Sequence, residues 1–326
     1  MAVGILSVGS YIPERRMSND ELPKSLDTSD EWIRSHTGIG NRHIASDTET
    51  TSYMASEASK DALSRAGLDS DDIDSIIVAT ITPDYKDIPA SANLVQRDLA
   101  ITNAGSFDIK AACTGFVYGL ELGRGLILGG TAARVLVIGS EKLSAIMNWN
   151  DRRTAVLFGD GAGAAVLGQT DEGRGIQDSI LRTDGSGAEF LYMPSGGTAT
   201  PVDYTKNHEE QGCLTMDGQK VYNFAVRVNT EIVSELMVRN DLSQEDVDFI
   251  VPHQANYRII AAAAKRANIP MEKYYLNMEE FANTSSASIP LALAEMDKKG
   301  MLKRGMKILT VGFGGGLTYG GNYIIW

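Results

Sequence analysis

The sequence predicts an α/β protein made of two related halves, and three observations carry the prediction. Short continuous apolar runs alternate with stretches of helical apolar spacing, as expected of strands covered by helices on both faces. Residues 67–78, an acidic turn leading into a buried strand, are echoed by residues 241–251, with Asp72-Ile73-Asp74 answered by Asp246-Val247-Asp248. The apolar run Val135-Leu136-Val137-Ile138-Gly139 is echoed by Ile308-Leu309-Thr310-Val311-Gly312. Both echoes share an offset of roughly 170 residues, far too long for a solenoid, so the repeat reads as a duplicated α/β unit. The halves are placed at 1–170 and 171–326.

The elements follow in chain order. Residues 1–11 carry no basic residue ahead of their apolar stretch and run into Pro13-Glu14-Arg15-Arg16, so they read as a first strand and not a signal peptide. Thr28-Ser29-Asp30-Glu31 is a capping box that opens a short helix, stopped near Gly38. A helix over 52–66 ends at Gly67. Strands are expected at 76–80 and 106–109, then a helix over 115–128 and a strand at 135–139. Residues 169–216, rich in Gly, Asp, Ser and Thr, read as strands and loops that decorate the second half. Helices over 221–238 and 256–267 follow, the second closed by Asn268 and Pro270. Strands at 249–251 and 308–311 complete the set, with Pro290 opening one more helix between them.

Composition narrows the classes of function. With 326 residues, 43% of them hydrophobic, the chain can bury a large core. A formal net charge of −12 argues against nucleic acid or an anionic membrane as the main partner. Two cysteines without framework spacing imply reduced thiols and a cytoplasmic setting. No apolar run approaches the roughly 20 residues that span a bilayer. His36, His43, His208 and Cys213 show no metal-ligand spacing, so no metal is expected.

Cys113 carries the chemistry. It lies where the buried-strand pattern Ser106-Phe107-Asp108-Ile109 gives way to a helix, among the small residues Ala111, Ala112, Thr114 and Gly115. A thiol at a helix N-terminus faces free backbone N–H groups and the positive end of the dipole, which favour thiolate. Small neighbours admit a bulky acyl group. On these residues alone, an inert packing cysteine is the alternative. The duplication bears on the choice, because matching turns of two related halves face each other across the pseudo-symmetry axis. The second half supplies His253, closing the strand run Phe249-Ile250-Val251-Pro252, and Asn283, in the small polar stretch Ala282-Asn283-Thr284-Ser285-Ser286. Its last strand ends in Phe313-Gly314-Gly315-Gly316, whose glycines allow backbone N–H groups to approach a ligand.

These stretches, together with Asp27-Thr28-Ser29-Asp30-Glu31-Trp32-Ile33 and Phe158-Gly159-Asp160-Gly161-Ala162-Gly163-Ala164, give the chain a clear resemblance to the β-ketoacyl–acyl carrier protein synthase III family, condensing enzymes of the thiolase fold. The motifs run in family order from residue 27 to 316. The resemblance implies a five-layer αβαβα architecture, a homodimer, no cofactor beyond a coenzyme A thioester substrate, and a Cys113–His253–Asn283 site. It implies that an acyl-CoA starter, acetyl or another short acyl, passes to Cys113 and is condensed with malonyl–acyl carrier protein. The backbone N–H groups of Cys113 and Gly315 would hold the tetrahedral oxyanion. Trp32 and Arg152 match the pair that grips the coenzyme A adenine, and Phe313 joins the substrate-binding set. Ile88 matches a residue that reaches into the partner subunit's acyl pocket; an ordinary loop hydrophobe is the alternative. Arg258, Lys265 and Arg266, basic residues on one helix of an acidic protein, fit docking of an acidic carrier protein.

The chain departs from the family at two positions. His36 stands where Arg precedes Thr-Gly-Ile, which bears on the grip on the nucleotide, and Ala282 stands where Gly precedes the Asn. The added methyl is tolerated if the local φ is negative. A cysteine peptidase also uses Cys, His and Asn in this order, but Cys-Gly-Ser-Cys-Trp is absent. The reading that stays open beside fatty acid synthesis is a related acyltransferase or condensing enzyme of specialised, polyketide-type metabolism.

Overall fold

Two main sheets with nine strands between them, and seven longer helices, grow from these patterns in the structure, a computed structural model that describes residues 1–203, 205 and 212–326. His208 lies outside the described residues. The first sheet holds β1 (Ala2–Tyr11), β2 (Ser75–Ala79), β3 (Gly105–Ile109), β4 (Val135–Glu141) and β5 (Gly161–Thr170), in the order β1-β5-β4-β2-β3. The second holds β6 (Gly175–Thr183), β7 (Phe249–Pro252), β8 (Lys307–Gly314) and β9 (Thr318–Ile325), in the order β7-β8-β9-β6. Duplication is visible in the pairing. β2 runs parallel to β4 as β7 runs parallel to β8, and β5 and β1 continue the first sheet antiparallel as β9 and β6 continue the second. β3 is the extra edge strand of the first half.

β6 refines one expectation. Of the stretch read as strands and loops of the second half, residues 175–183 form a strand that pairs with β9 along its length as a full member of the sheet. Its Ile176 and Ile180 face the core.

The helices are α1 (Asp30–Thr37), α2 (Thr51–Ala66), α3 (Ser91–Asp98), α4 (Gly115–Leu128), α5 (Gly218–Arg239), α6 (Tyr257–Ala267) and α7 (Ser288–Lys298). α1 starts where Ser29 accepts a hydrogen bond from Trp32 N–H and stops at Gly38, whose φ of 81° suits glycine. α4 and α7 are apolar on several sides because both sheets cover them: Phe116, Leu120, Leu293 and Met296 pack among Val137 of the first sheet and Val251 of the second. α2 and α3 cover the outer face of the first sheet, where Met54, Ala58 and Val95 meet Ile76 and Ile138. α5 and α6 cover the second, where Ile232, Leu236 and Ile260 meet Ile250 and Leu309. The result is the layering αβαβα. Close packing of the middle layer demands Gly139, since a Cβ there would stand 2.3 Å from the Ser286 carbonyl.

Candidate active site

The ends of the two central helices and the C-terminal ends of the parallel strands converge at one place. Cys113 sits in the 3-10 turn Ala112–Thr114 just ahead of α4, and its side chain is buried. The expectation of a thiolate favoured by the helix end is not met in the resting chain: desolvation by burial pushes the thiol up to about 12, with the Glu141 carboxylate adding to the rise.

His253 follows β7, its N–H donating to the Val311 carbonyl at 2.8 Å. Its Nδ1 lies 2.7 Å from the hydroxyl of Ser288, the first residue of α7, and its ring meets Phe313 edge-on at 5.4 Å between centroids. Burial holds the imidazole down to about 3, so it is neutral at ordinary pH. Asn283 is pinned by its backbone, donating to the Leu157 carbonyl and accepting from Gly159 N–H, both at 3.0 Å. Its carboxamide oxygen accepts from Ser285 N–H at 2.8 Å, which leaves the NH₂ as the uncommitted end.

Cys113, His253, Asn283 and Phe313 line one cavity of about 200 Å³, roofed by Val221 and Tyr222 of α5 and Ile259 of α6. A second cavity of about 230 Å³ adjoins the first at Cys113, Phe158 and Leu191, with Ile81, Leu143 and Leu214 among its other walls. Gly315 lines this second cavity together with Cys113. At Gly314, within the glycine run, a Cβ would stand 2.6 Å from Cys113 N, so the nucleophile's turn seats against bare backbone.

Backbone strain gathers at the same place. Ala112 (φ 46°), Ala282 (φ 57°) and Ser285 (φ 50°) all take positive φ without being glycine. Ala282 overturns the condition set from the sequence: its φ is positive and its ψ is −156°, a region that glycine alone occupies readily.

The predicted nucleotide pair is brought together, with the Arg152 guanidinium 5.2 Å from the Trp32 ring and donating to the Asp27 carbonyl at 2.7 Å. His36 stacks on Trp32, ring centroids 4.2 Å apart and planes at 16°. Ile88 is highly exposed and lines neither of the two cavities beside Cys113. Arg258, in the first turn of α6, donates to the Ser35 carbonyl of α1 at 3.0 Å, while Lys265 and Arg266 are exposed in the last turn. Sequence reasoning also passed over Glu141, Ser285 and Ser288. Only Glu141 left a signal, a carboxylate closing the strand that begins with the apolar run 135–139. Among the described residues no group of three or more His, Cys, Asp or Glu could hold a metal ion, and no helix is long and apolar enough to cross a membrane.

Family models agree with the geometry. The model of the 3-oxoacyl-[acyl-carrier-protein] synthase III family matches residues 107–185, and that of its C-terminal region matches residues 237–326. The β-ketoacyl-[acyl-carrier-protein] synthase III of Caldanaerobacter subterraneus subsp. tengcongensis is 48% identical over 326 residues, covering 100% of this chain and 98% of the relative. Synthase III 1 of Bacillus anthracis is 47% identical, covering 100% and 99%. Among solved structures, the 3-oxoacyl-[acyl-carrier-protein] synthase III of Aquifex aeolicus superposes with a TM-score of 0.91 at 42% identity, over 100% of both chains. The priming β-ketosynthase of the R1128 polyketide biosynthetic pathway superposes with a TM-score of 0.92 at 35% identity, over 99% of this chain and 96% of that one. By architecture and relationship alike, the chain belongs to the 3-oxoacyl-[acyl-carrier-protein] synthase III family of thiolase-fold, acyl-transferring condensing enzymes.

Proposed function

We propose that this chain performs the initiating condensation of type II fatty acid synthesis, joining a short acyl group from acyl-CoA to malonyl carried on acyl carrier protein. One observation carries the details: a buried thiol, a neutral imidazole and a primary amide from two related halves line a single cavity. Cys113 attacks the acyl thioester, becomes acylated, and later serves as leaving group. The acyl chain occupies the apolar cavity walled by Leu143, Leu191 and Leu214. Malonyl thioester then loses CO₂, and negative charge gathers on its carbonyl oxygen. Two donors that carry no charge of their own suit that oxygen. Asn283 supplies its NH₂. For His253, we assign the Ser288 hydroxyl as donor to Nδ1, the one acceptor in reach of its proton among the described residues, so the ring proton resides on Nε2. The carbanion attacks the acyl-Cys113 carbonyl, whose oxygen is held by the N–H groups of Cys113 and Gly315.

Trp32 and Arg152 hold the adenine of coenzyme A, with His36 beneath the indole in place of a guanidinium. Phe313 lines the substrate cavity and steadies the His253 ring. Arg258, Lys265 and Arg266 receive the acidic carrier protein, and Ile88 reaches across a homodimer. The halves are 1–170 and 171–326, the setting is the cytoplasm, and no cofactor besides the coenzyme A thioester takes part. Likeness to the R1128 priming enzyme favours a second reading, the same condensation as the first step of a polyketide route.

Radiolabelled acetyl-CoA followed by malonyl–acyl carrier protein tests the reaction. Label on Cys113 that moves into a four-carbon β-ketoacyl carrier protein is the expected result. Label on Cys113 with no carbon–carbon bond formed refutes condensation in favour of simple acyl transfer.

A further inference from the structure

We infer that Glu141 accepts the Cys113 thiol proton, through the Ser285 hydroxyl, while the acyl group is transferred to sulfur. The inference rests on the reaction proposed above and assigns that reaction's missing base. Glu141 is the last residue of β4 and is completely buried. One carboxylate oxygen accepts from Thr80 Oγ1 at 3.2 Å, Ile81 N–H at 3.1 Å and Thr82 Oγ1 at 2.8 Å; the other accepts from Ser286 Oγ at 2.9 Å. All of these donors are neutral, and no cation among the described residues holds the charge. Burial therefore raises the carboxyl's proton affinity above the ordinary range.

Ser285 is the chain neighbour of Ser286, whose hydroxyl holds the carboxylate. The Ser285 hydroxyl is buried and closes no full hydrogen bond within the described structure, yet it lowers the proton affinity of both the Cys113 thiol and the Glu141 carboxyl. Ser285 lines the acyl cavity beside Cys113 and has a φ of 50°. A strained residue with an orphaned buried hydroxyl is disfavoured on two counts, the pattern expected where function has set the geometry. The buried thiol needs a partner to lose its proton. His253 is unsuited, because burial opposes its protonation and its Nδ1 is committed to Ser288.

The step balances without another reactant. As the sulfur bonds to the acyl carbon, the thiol proton passes to Ser285 Oγ and the proton of Ser285 passes to Glu141. The acyl–sulfur bond of coenzyme A breaks, and the departing thiolate takes a proton back along the same path. Products are acyl-Cys113 and free coenzyme A, with the carboxylate restored.

The full-length protein is tested by rapid-quench acylation with radiolabelled acetyl-CoA, by decarboxylation of malonyl–acyl carrier protein, and by iodoacetamide alkylation of Cys113. Glu141→Gln, similar in size, is expected to slow acylation about 10²-fold or more while decarboxylation is little changed. Alkylation is expected to slow as well. If Glu141 acted only as a neighbouring negative charge, its removal would ease thiolate formation and alkylation would quicken; that result overturns the inference. Ser285→Ala must reproduce the acylation loss and Ser285→Thr must recover most of it. A Ser285→Ala protein acylated at the wild-type rate excludes the relay. Equal loss of acylation and decarboxylation reports a structural prop and also refutes it. Wild-type protein that takes no label from any short acyl-CoA refutes the proposed reaction, whereas the alkylation comparison still decides the role of Glu141.

Discussion

Burial fixes the protonation of His253, and stability must follow. The unfolded ring titrates near its ordinary value of 6.5, while the folded ring is held down to about 3. Below the unfolded value the open chain gains a proton that the folded chain refuses. This stabilising contribution is therefore present above about pH 6.5 and lost as pH falls toward 3, by at most about 1.4 kcal/mol per pH unit. Denaturant melts from pH 7 to pH 4 will show a shallower loss for His253→Gln than for the parent chain. An identical slope in both proteins contradicts the buried neutral ring. The neighbouring loop offers a second case. Ala282 holds a conformation natural to glycine, so Ala282→Gly will stabilise the fold by about 1–3 kcal/mol, read as a rise in Tm. A fall in Tm would mean the strain is not there.

Two elements set the reach of the nucleophile. β8 ends at Gly314 directly beneath the turn that carries Cys113, and the 2.6 Å approach leaves no room for a methyl group. Gly314→Ala must move either backbone, so acylation of Cys113 will drop by more than tenfold while far-UV circular dichroism is preserved. Unchanged acylation would show that the turn has slack. α1 presents Trp32 to Arg152 through a well-formed cap at Ser29. Trp32→Ala removes a stacking face worth about 0.5–2 kcal/mol and raises the KM for acyl-CoA roughly 2- to 30-fold. The KM for malonyl–acyl carrier protein will stay as it was, which initial-rate kinetics can check.

At the scale of the whole molecule, a net charge of −12 repels an acidic carrier protein, so any basic face must act locally. Lys265 and Arg266 close α6, where the helix dipole also favours cations, and Arg258 opens the same helix beside the cavity roof. Reversing Lys265 and Arg266 to Glu together will raise the KM for malonyl–acyl carrier protein and weaken its dependence on ionic strength. The KM for acyl-CoA will not change. Kinetics at 20 and 200 mM salt, concentrations on the order of those that separate long from short screening lengths, measure both effects.

The layered α/β plan was legible because strands and helices covered on known faces write their periods directly into the chain, and the duplication was legible because two echoes share an offset. Cys113 could be named as a candidate from its turn, and His253 and Asn283 from the family motifs that their turns resemble. Strands were expected in the stretch that holds β6, but its bounds and its place in the main sheet were not legible, since an edge strand carries few apolar residues. By itself the sequence determined the order of elements, the reactive residue types and the family. Tertiary structure alone decided that the thiol is suppressed, that the imidazole is neutral, that Ser285 lines a cavity with Cys113, and that Glu141 is buried among neutral donors. Those outcomes depend on desolvation and on the approach of atoms remote along the chain, which no local pattern of residues encodes.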